Sequence, residues 1–267
     1  MPYVLKATGQ KELFSEEKLR LSIQRSGLPA NLTEGVVNHI KPKLYEGIPT
    51  AEIYRHITEF LGNSSNPFNR SLYSLKQAIM ELGPTGYPFE DYISEILKME
   101  GYATTVRQVL QGTCVSHEVD VVAQKQNKYM IECKFHNNPG GRCQIHVSLY
   151  TKARFDDIKE KHNFNEAWLV TNTKITPDAL NYAICSRMKV ISWDYPAQGS
   201  FRDLVEKYKL YPITVLSSIS QAQKQLLTTN HIVLTRDLYK NPSSLDVLGL
   251  PNGKSSSILA ECQFLNA

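Results

Sequence analysis

Residues 117–134 read HEVDVVA, QKQN and KYMIECK in succession, two apolar segments around a polar turn. Segments of this composition joined by a short polar turn are typical of a β-hairpin. Because side chains alternate between the faces of a strand, Glu132 and Lys134 should point the same way and Cys133 away from them. Asp120, on the neighbouring strand, can then lie beside Glu132.

Two carboxylates that meet at one point repel each other unless a proton or a cation lies between them. Hard divalent ions such as Mg²⁺ prefer oxygen ligands, so Asp120 and Glu132 are a natural pair of magnesium ligands. The Lys134 ammonium would then lie where a phosphoryl oxygen or an attacking water binds. This combination is suited to hydrolysis of a phosphodiester bond.

An acid and a lysine two residues apart on a strand also form ordinary surface ion pairs, so the spacing has a second interpretation. Two features favour the functional one. The neighbouring residues Val121, Val122, Met130 and Ile131 are apolar, which places the charges inside a core element. Upstream, Glu90 in the first turn of a predicted helix offers a third carboxylate.

The chain divides at two breaks in its hydrophobic patterning. LGPTGYP, at residues 82–88, interrupts a helical pattern with two prolines and two glycines, and a second break follows an amphipathic segment at residues 211–212. We therefore predict three domains, at 1–82, 83–208 and 209–267. The middle domain has the order helix, hairpin, helix, strand, helix, strand, which is an α/β sandwich.

The two flanking domains are predicted to be mainly helical. The first opens with a small strand–turn–strand segment and continues with a helix capped by Ser15. Further helices are predicted in it at 36–44, 50–61 and 70–82. The last domain has a helix at 220–228 and a closing helix.

The composition is that of a globular protein. The chain has 267 residues, and 42% of them are hydrophobic, which excludes a disordered chain. Its net charge of +4 neither proves nor excludes binding of nucleic acid. It contains no run of about 18 apolar residues and no secretory pattern, so we expect a cytoplasmic protein without a membrane segment. Its five cysteines are scattered and form no CxxC pair, which predicts reduced thiols.

Several strings in the middle domain resemble the Mrr-like branch of the PD-(D/E)XK nuclease superfamily. These are FEDYISEILKMEGY, EVDVVA and YMIECKFHNNPG, followed by NEAWLVTNTKITPDALNYA and VISWDYP. The resemblance covers roughly residues 83–208. It implies a restriction-endonuclease-like α/β sandwich that cuts DNA with a bound metal ion.

By this resemblance, the catalytic residues are Asp120, Glu132, Lys134 and Glu90. The metal, Mg²⁺ or Mn²⁺, would be held by Asp120 and Glu132, with Glu90 similar to the helix glutamate that often assists metal binding in the superfamily. Cys133, between two of these residues, is a further candidate at the metal site. Lys134 would position the water and stabilise the charge of the transition state.

Positive side chains are expected to hold the DNA backbone, and residues 134–154 contain no acid. Two departures from the family pattern are Val119, where many members have proline, and the helix start at 144–146, where we would expect a charged residue; the second could alter DNA contact. The candidate DNA-binding residues are Arg142, His146, Lys152, Arg154 and Lys254.

The first domain resembles an ATP-cone, the nucleotide-sensing module of ribonucleotide reductases and of their transcriptional regulator. The matching strings are VLKATGQKELFSEEKLRLSI, IPTAEI and YSLKQAI. Lys6 and Lys18 offer cations to a triphosphate, and Thr50 adds a hydroxyl where a helix cap is expected. The resemblance implies ATP or dATP as the ligand, with Glu12 near the base or ribose and Lys76 near the phosphates. The alternative is a basic helical face on a small packing domain.

The C-terminal string LGLPNGKSSSILAEC resembles a helix-hairpin-helix module, whose backbone N–H groups bind DNA phosphates. Gly253 and Lys254 would make these contacts. The alternative is a structural cap on the middle domain.

The sequence thus predicts a Mg²⁺-dependent DNA endonuclease regulated by an adenine nucleotide, working as a homodimer or a higher homo-oligomer. One alternative is a nucleotide-responsive regulator that binds DNA without cutting it. Another is a nuclease that acts on RNA or on branched DNA.

Overall fold

The computed structural model of this chain describes residues 2–138, 140–251 and 253–267. The chain opens with a small three-stranded sheet. Strands β1 (Tyr3–Leu5) and β2 (Lys11–Leu13) form the predicted hairpin, and β3 (Ile48–Pro49) pairs with β1 in parallel.

Three helices cover this small sheet: α1 (Glu16–Arg25), α2 (Ala30–Ile40) and α3 (Thr50–Gly62). The Ser15 hydroxyl accepts a hydrogen bond from the Lys18 N–H at 3.2 Å, so the predicted cap is confirmed. Thr50 is the first helical residue and caps nothing with its side chain, because Pro49 occupies the cap position. The expected cap at Thr50 is therefore wrong.

The helix predicted at 70–82 is two short helices, α4 (Asn69–Tyr73) and α5 (Leu75–Met80). Leu75 and Ile79 of α5 belong to the core of the middle block, and Ala78 belongs to the C-terminal core. Helix α5 therefore ties three parts of the chain together.

A five-stranded mixed sheet forms the middle block. It contains β4 (Ala103–Gln111), β5 (Ser116–Gln124), β6 (Lys128–Lys134), β8 (Glu166–Thr171) and β10 (Lys189–Ile191). Their order is β10–β8–β6–β5–β4; the first three are parallel, and β6, β5 and β4 alternate in direction. Two short strands, β7 (Arg142–Cys143) and β9 (Lys174–Ile175), pair apart from this sheet.

Helices cover both faces of the large sheet, as an α/β sandwich requires. Helix α6 (Tyr87–Met99) packs on one face, where Tyr92 and Ile96 meet Ile131 and Trp168. The other face is covered by α7 (Ile145–His162) and α8 (Pro177–Cys185). The middle block closes with α9 (Phe201–Lys207).

Strand β4 was not expected from the sequence. Its residues, ATTVRQVLQ, are mostly polar, and the strand lies at the sheet edge with all of its residues at least partly exposed. A half-exposed edge strand has only weak apolar patterning, so its sequence gives little signal.

The C-terminal block is helical, with α10 (Gln221–Thr229), α11 (Thr235–Lys240) and α12 (Lys254–Asn266). A fully buried carboxylate on α12, that of Glu261, joins it to the rest of the chain. It accepts hydrogen bonds from the Ser71 hydroxyl at 2.6 Å and from the Ser217 and Ser218 N–H groups at 2.8 and 3.0 Å.

Candidate active site

The β5–β6 pairing brings two predicted metal ligands together. The last ladder pair is Val121 with Ile131, and Asp120 and Glu132 are the next residues on the two strands. The Asp120 carboxylate accepts a hydrogen bond from the Cys133 N–H at 2.7 Å, which fixes its position at this edge.

Glu132 is paired with an arginine that the sequence had suggested for DNA binding. Arg154 of α7 donates to the Glu132 carboxylate, and the side chains are only 8% and 13% exposed. Arg154 therefore departs from its expected role, because its guanidinium lies inside the protein and is not free for a phosphate. The two residues are 22 positions apart on separate elements, so no local pattern in the sequence indicates the pairing.

Glu90, in the first turn of α6, reaches the same region. Its carboxylate accepts from Arg107 at 3.2 Å, and the same guanidinium contacts Asp91 at 2.7 Å. Burial, followed by repulsion from Asp120, raises the pKa of Glu90 to about 7, although Arg107 opposes the shift. Burial and then repulsion from Asp120 likewise raise the pKa of Glu132 above its usual range.

Arg107 was missed in the sequence because β4 was missed. The β4–β5 register pairs Val106 with Val121 and Gln108 with Val119, which places Arg107 across from Asp120. Its backbone has a φ of +52°, in the left-handed region that non-glycine residues seldom adopt. Predicting β4 as a strand would have brought this arginine to the site.

Lys134 and Cys133 follow the alternation expected of a strand. Lys134 ends β6 and, among the residues that the structure describes, has no acidic side chain within ion-pair distance. The Cys133 side chain is buried in the core shared with α6, and burial raises its thiol pKa well above the ordinary value. The Cys133 thiol thus points into the core, away from the side on which Glu132 and Lys134 lie, and its backbone N–H is bonded to Asp120.

We name the acids Glu90, Asp91, Asp120 and Glu132, with Arg107 and Arg154, the carboxylate cluster. Its oxygen donors suit a hard divalent cation, and its acids outnumber its arginines. In the described part of the chain, no three acidic, histidine or cysteine side chains are arranged as a complete metal shell. Glu90 and Glu132 are instead each paired with an arginine, Arg107 and Arg154.

The remaining DNA-binding candidates lie on the surface. Arg142 and His146 are exposed near the start of α7, and Lys254 is exposed at the start of α12. Lys152 is half-buried and pairs with Asp156 on its own helix. The positions of Arg142 and His146 follow the end of β6 in the chain, beyond Lys134.

The predicted nucleotide residues collect in the first block, with one exception. Lys6, Glu12, Lys18 and Thr50 line a single pocket of about 260 Å³, which we call the hairpin pocket. Both lysines contact the Glu12 carboxylate and hold its pKa low, at about 2. Lys76 lies outside this pocket, in a neighbouring cleft.

Comparison with known proteins agrees with the fold of the middle block. Residues 83–197 match the family model described as "Restriction endonuclease", the Mrr catalytic domain. Residues 83–197 therefore form a restriction-endonuclease-like domain of the PD-(D/E)XK superfamily. Residues 211–265 match the model described as "AF1548-like, C-terminal", and not the helix-hairpin-helix module expected for this part of the chain.

An uncharacterized protein of Archaeoglobus fulgidus is 36% identical over 173 residues, which is 64% of this chain and 98% of the relative. A solved structure entitled "Crystal Structure of Protein of Unknown Function AF1548" is 35% identical, with a TM-score of 0.61, and the match covers 68% of this chain and 98% of that one. The chain belongs to the AF1548-like family.

Proposed function

We propose that the middle block is a metal-dependent endonuclease that hydrolyses DNA phosphodiester bonds. The observation that carries the proposal is the meeting of two buried or half-buried acids, Asp120 and Glu132, at the end of the β5–β6 ladder. Glu90 lies near enough for repulsion from Asp120 to contribute to its raised pKa, and Lys134 follows Glu132 by two residues on the same strand. Buried like charges are costly, and they are usually retained where a function needs them. Ordinary surface ion pairs do not explain this burial.

In this mechanism, Asp120, Glu132 and Glu90 would hold one or two Mg²⁺ ions, or Mn²⁺. A bound divalent ion would lower the pKa of a water ligand and so supply the nucleophile. The Asp120 carboxylate is held in place by the Cys133 N–H, so it is pre-positioned for its role. The Lys134 ammonium orients the attacking water and stabilises negative charge on the phosphate in the transition state.

Cleavage of plasmid DNA with Mg²⁺ tests this proposal, using wild type, Glu132→Gln and Glu160→Gln. Glu160 is an exposed acid near the end of α7 and serves as the matched control. Loss of a metal ligand should lower the cleavage rate by about 100-fold or more, because such contacts are worth several kcal/mol in the transition state. Equal cleavage rates for wild type and Glu132→Gln would overturn the proposal, and DNA binding without cleavage by either protein would favour a DNA-binding regulator.

A substrate panel of linear DNA, branched DNA and RNA in the same buffer separates the remaining candidates. Arg142, His146, Lys152 and Lys254 are proposed to hold the phosphate backbone. Alanine at Arg142 should weaken binding of all DNA sequences alike and reduce its salt dependence, since phosphate contacts carry no sequence information. Selective cleavage of RNA in the panel would replace DNA as the substrate.

We also propose that the hairpin pocket binds an adenine nucleotide, ATP or dATP, that regulates the nuclease. Two lysines, an acid and the Thr50 hydroxyl line the pocket, which is the donor set a nucleotide needs. Titration of ATP and dATP into the full chain, followed calorimetrically, tests this. Absence of any heat of binding for both nucleotides would overturn it.

An enzyme that cuts both strands of a duplex commonly uses two active sites, one for each strand. We therefore propose that the protein forms a homodimer or a higher homo-oligomer, with one middle block in each copy. Exposed apolar side chains on α7, those of Ile145, Leu149 and Tyr150, are compatible with such a contact. Sedimentation of the full chain with and without nucleotide measures the assembly. A monomer under both conditions would overturn this part.

A further inference from the structure

A second cavity lies between the first block and the middle block. It is a cleft of about 660 Å³ whose walls come from α1, α5 and α9, together with the segments beside them. We call it the interblock cleft. Five cationic side chains and one acidic side chain line it: Lys18, Arg25, Lys76, Arg202, Lys209 and Glu206. The excess of positive charge favours an anion.

Three of these cations, Arg25, Lys76 and Arg202, have no close acidic partner among the described residues. Arg25 and Lys76 have no acid within ion-pair distance among the residues that the structure describes. The Arg202 guanidinium lies 3.5 Å from Asp203 and 3.8 Å from Glu206. Both distances are longer than the 2.7–2.9 Å of a good charge-assisted hydrogen bond, so its donors are available to a ligand.

The interblock cleft adjoins the hairpin pocket. Lys18, Tyr54 and Tyr73 line both cavities, and the two tyrosine rings stack with their centroids 5.6 Å apart. On the opposite side, the Lys76 ammonium lies 5.3 Å from the centre of the Trp193 ring. The two cavities therefore share a wall, and a ligand that extends past Lys18 from the hairpin pocket would enter the cleft.

The size of the hairpin pocket supports the same connection. At about 260 Å³ it is smaller than the roughly 300–1,000 Å³ usual for a small-molecule site. A base and ribose would fill most of it, and a chain of phosphates would have to leave past Lys18. The only predicted nucleotide residue outside the hairpin pocket, Lys76, lines the interblock cleft.

We propose that the phosphates of a nucleotide held in the hairpin pocket extend past Lys18 into the interblock cleft, where Lys76 and Arg202 bind them. This inference rests on the nucleotide half of the proposed function. It adds Arg202, a residue of helix α9 in the middle block, to the binding site. A triphosphate would then contact both the first block and the middle block, whereas a monophosphate would contact only the first block. The middle block would therefore respond to the number of phosphates.

The test compares ATP with AMP, which share a base and ribose and differ in phosphates. Calorimetric titration of the full chain is done with wild type, Lys76→Ala, Arg202→Ala and Lys240→Ala. Lys240 is an exposed lysine of α11 outside the cleft and is the matched control. We expect ATP to bind about 5- to 10-fold more weakly to each cleft variant, as for the loss of one charge-assisted contact.

AMP binding should change less than about twofold in the cleft variants, and the control should bind both ligands as wild type does. Arg202→Lys keeps the charge and should recover part of the ATP affinity. Wild-type ATP affinity in both alanine variants would overturn this inference and leave the nucleotide site standing. Equal weakening of ATP and AMP would also overturn it, and a wild type that binds neither ligand would overturn both proposals.

Discussion

The carboxylate cluster and the hairpin pocket both contain ion pairs, but acids are in excess in the first and bases are in excess in the second. In the carboxylate cluster, two arginines, Arg107 and Arg154, pair with three of the four acids. In the hairpin pocket, two lysines share one acid, Glu12. The first has negative charge left over and the second has positive charge left over, so the first is suited to a cation and the second to an anion.

The two regions also differ in burial, and burial determines how much the loss of an ion pair changes the stability of the protein. Glu132 and Arg154 are almost fully buried, whereas the Lys18 side chain is 69% exposed. Water screens an exposed pair, so its loss changes stability little, but a buried charge without a partner is expensive. Substitutions in the carboxylate cluster should therefore destabilise the protein. Substitutions in the hairpin pocket should mainly affect ligand binding.

The largest effect is expected from Arg154→Met, which leaves the buried Glu132 carboxylate without its cation. The free energy of unfolding should fall by about 3–5 kcal/mol, the usual cost of breaking a buried ion pair from one side. Urea unfolding curves measure the change. Millimolar Mg²⁺ should restore part of the loss, since a ligand at 100 times its Kd adds about 2.7 kcal/mol.

Lys152→Met provides the control for Arg154→Met. Lys152 lies on the same helix and pairs with Asp156, which is 43% exposed, so its loss should cost less than about 1 kcal/mol. The double variant Glu132→Gln with Arg154→Met should be more stable than Arg154→Met alone. A double variant no more stable than the single one would show that Glu132 is not strained by the loss of its partner.

Glu261 provides a further comparison, because this buried acid accepts its hydrogen bonds from neutral donors. Glu261→Ala removes the acceptor for the Ser71 hydroxyl and for the Ser217 and Ser218 N–H groups. Buried donors left without a partner should lower the free energy of unfolding by about 2–3 kcal/mol. Here Mg²⁺ should give no recovery, since no excess of acids is present. Gln263→Ala, exposed on the same helix, should change stability by less than about 0.5 kcal/mol.

The sequence predicted the elements that have strong apolar patterning and clear punctuation. These were the β5–β6 hairpin, helix α6 after its proline, and the hairpin and Ser15 cap of the first block. Strand β4 and helix α11 were missed, the first because it is polar and half-exposed, the second because its six residues are too few for a helical period.

The sequence also indicated which acids meet, but not what each one is paired with. Asp120 and Glu132 follow from strand register alone. Arg154 and Arg107 reach the acids from other elements, 22 and 17 residues away, and only the packing of α7 and β4 brings them in. Lys76 was assigned to the nucleotide with four other residues, yet the packing of α5 places it in the interblock cleft.

A smaller effect is expected at Arg107, which has a left-handed backbone and pairs with Glu90 and Asp91. Arg107→Ala and Arg107→Gly both lose the ion pairs and differ only in backbone freedom. Glycine has no penalty in this conformation, so the glycine variant should be more stable than the alanine variant by about 1 kcal/mol. Thermal unfolding of both variants measures the difference, and an alanine variant of equal stability would show that the backbone relaxes when the pairs are lost.

The smallest change in stability is expected for Glu12→Gln in the hairpin pocket, and it should depend on pH. Lys18 and Lys6 lower the pKa of Glu12 from 4.5 to about 2, so the ionised carboxylate binds them more tightly in the folded state. A lowered pKa contributes stability that is full above the unfolded value and is lost as pH falls toward the folded one. The melting temperature of wild type should therefore slightly exceed that of Glu12→Gln at pH 6, and the gap should narrow as pH falls from 4.5 toward 2. A gap that is unchanged over this range would mean that Glu12 is not held by the two lysines in solution, and the hairpin pocket would then lose the excess of positive charge that distinguishes it from the carboxylate cluster.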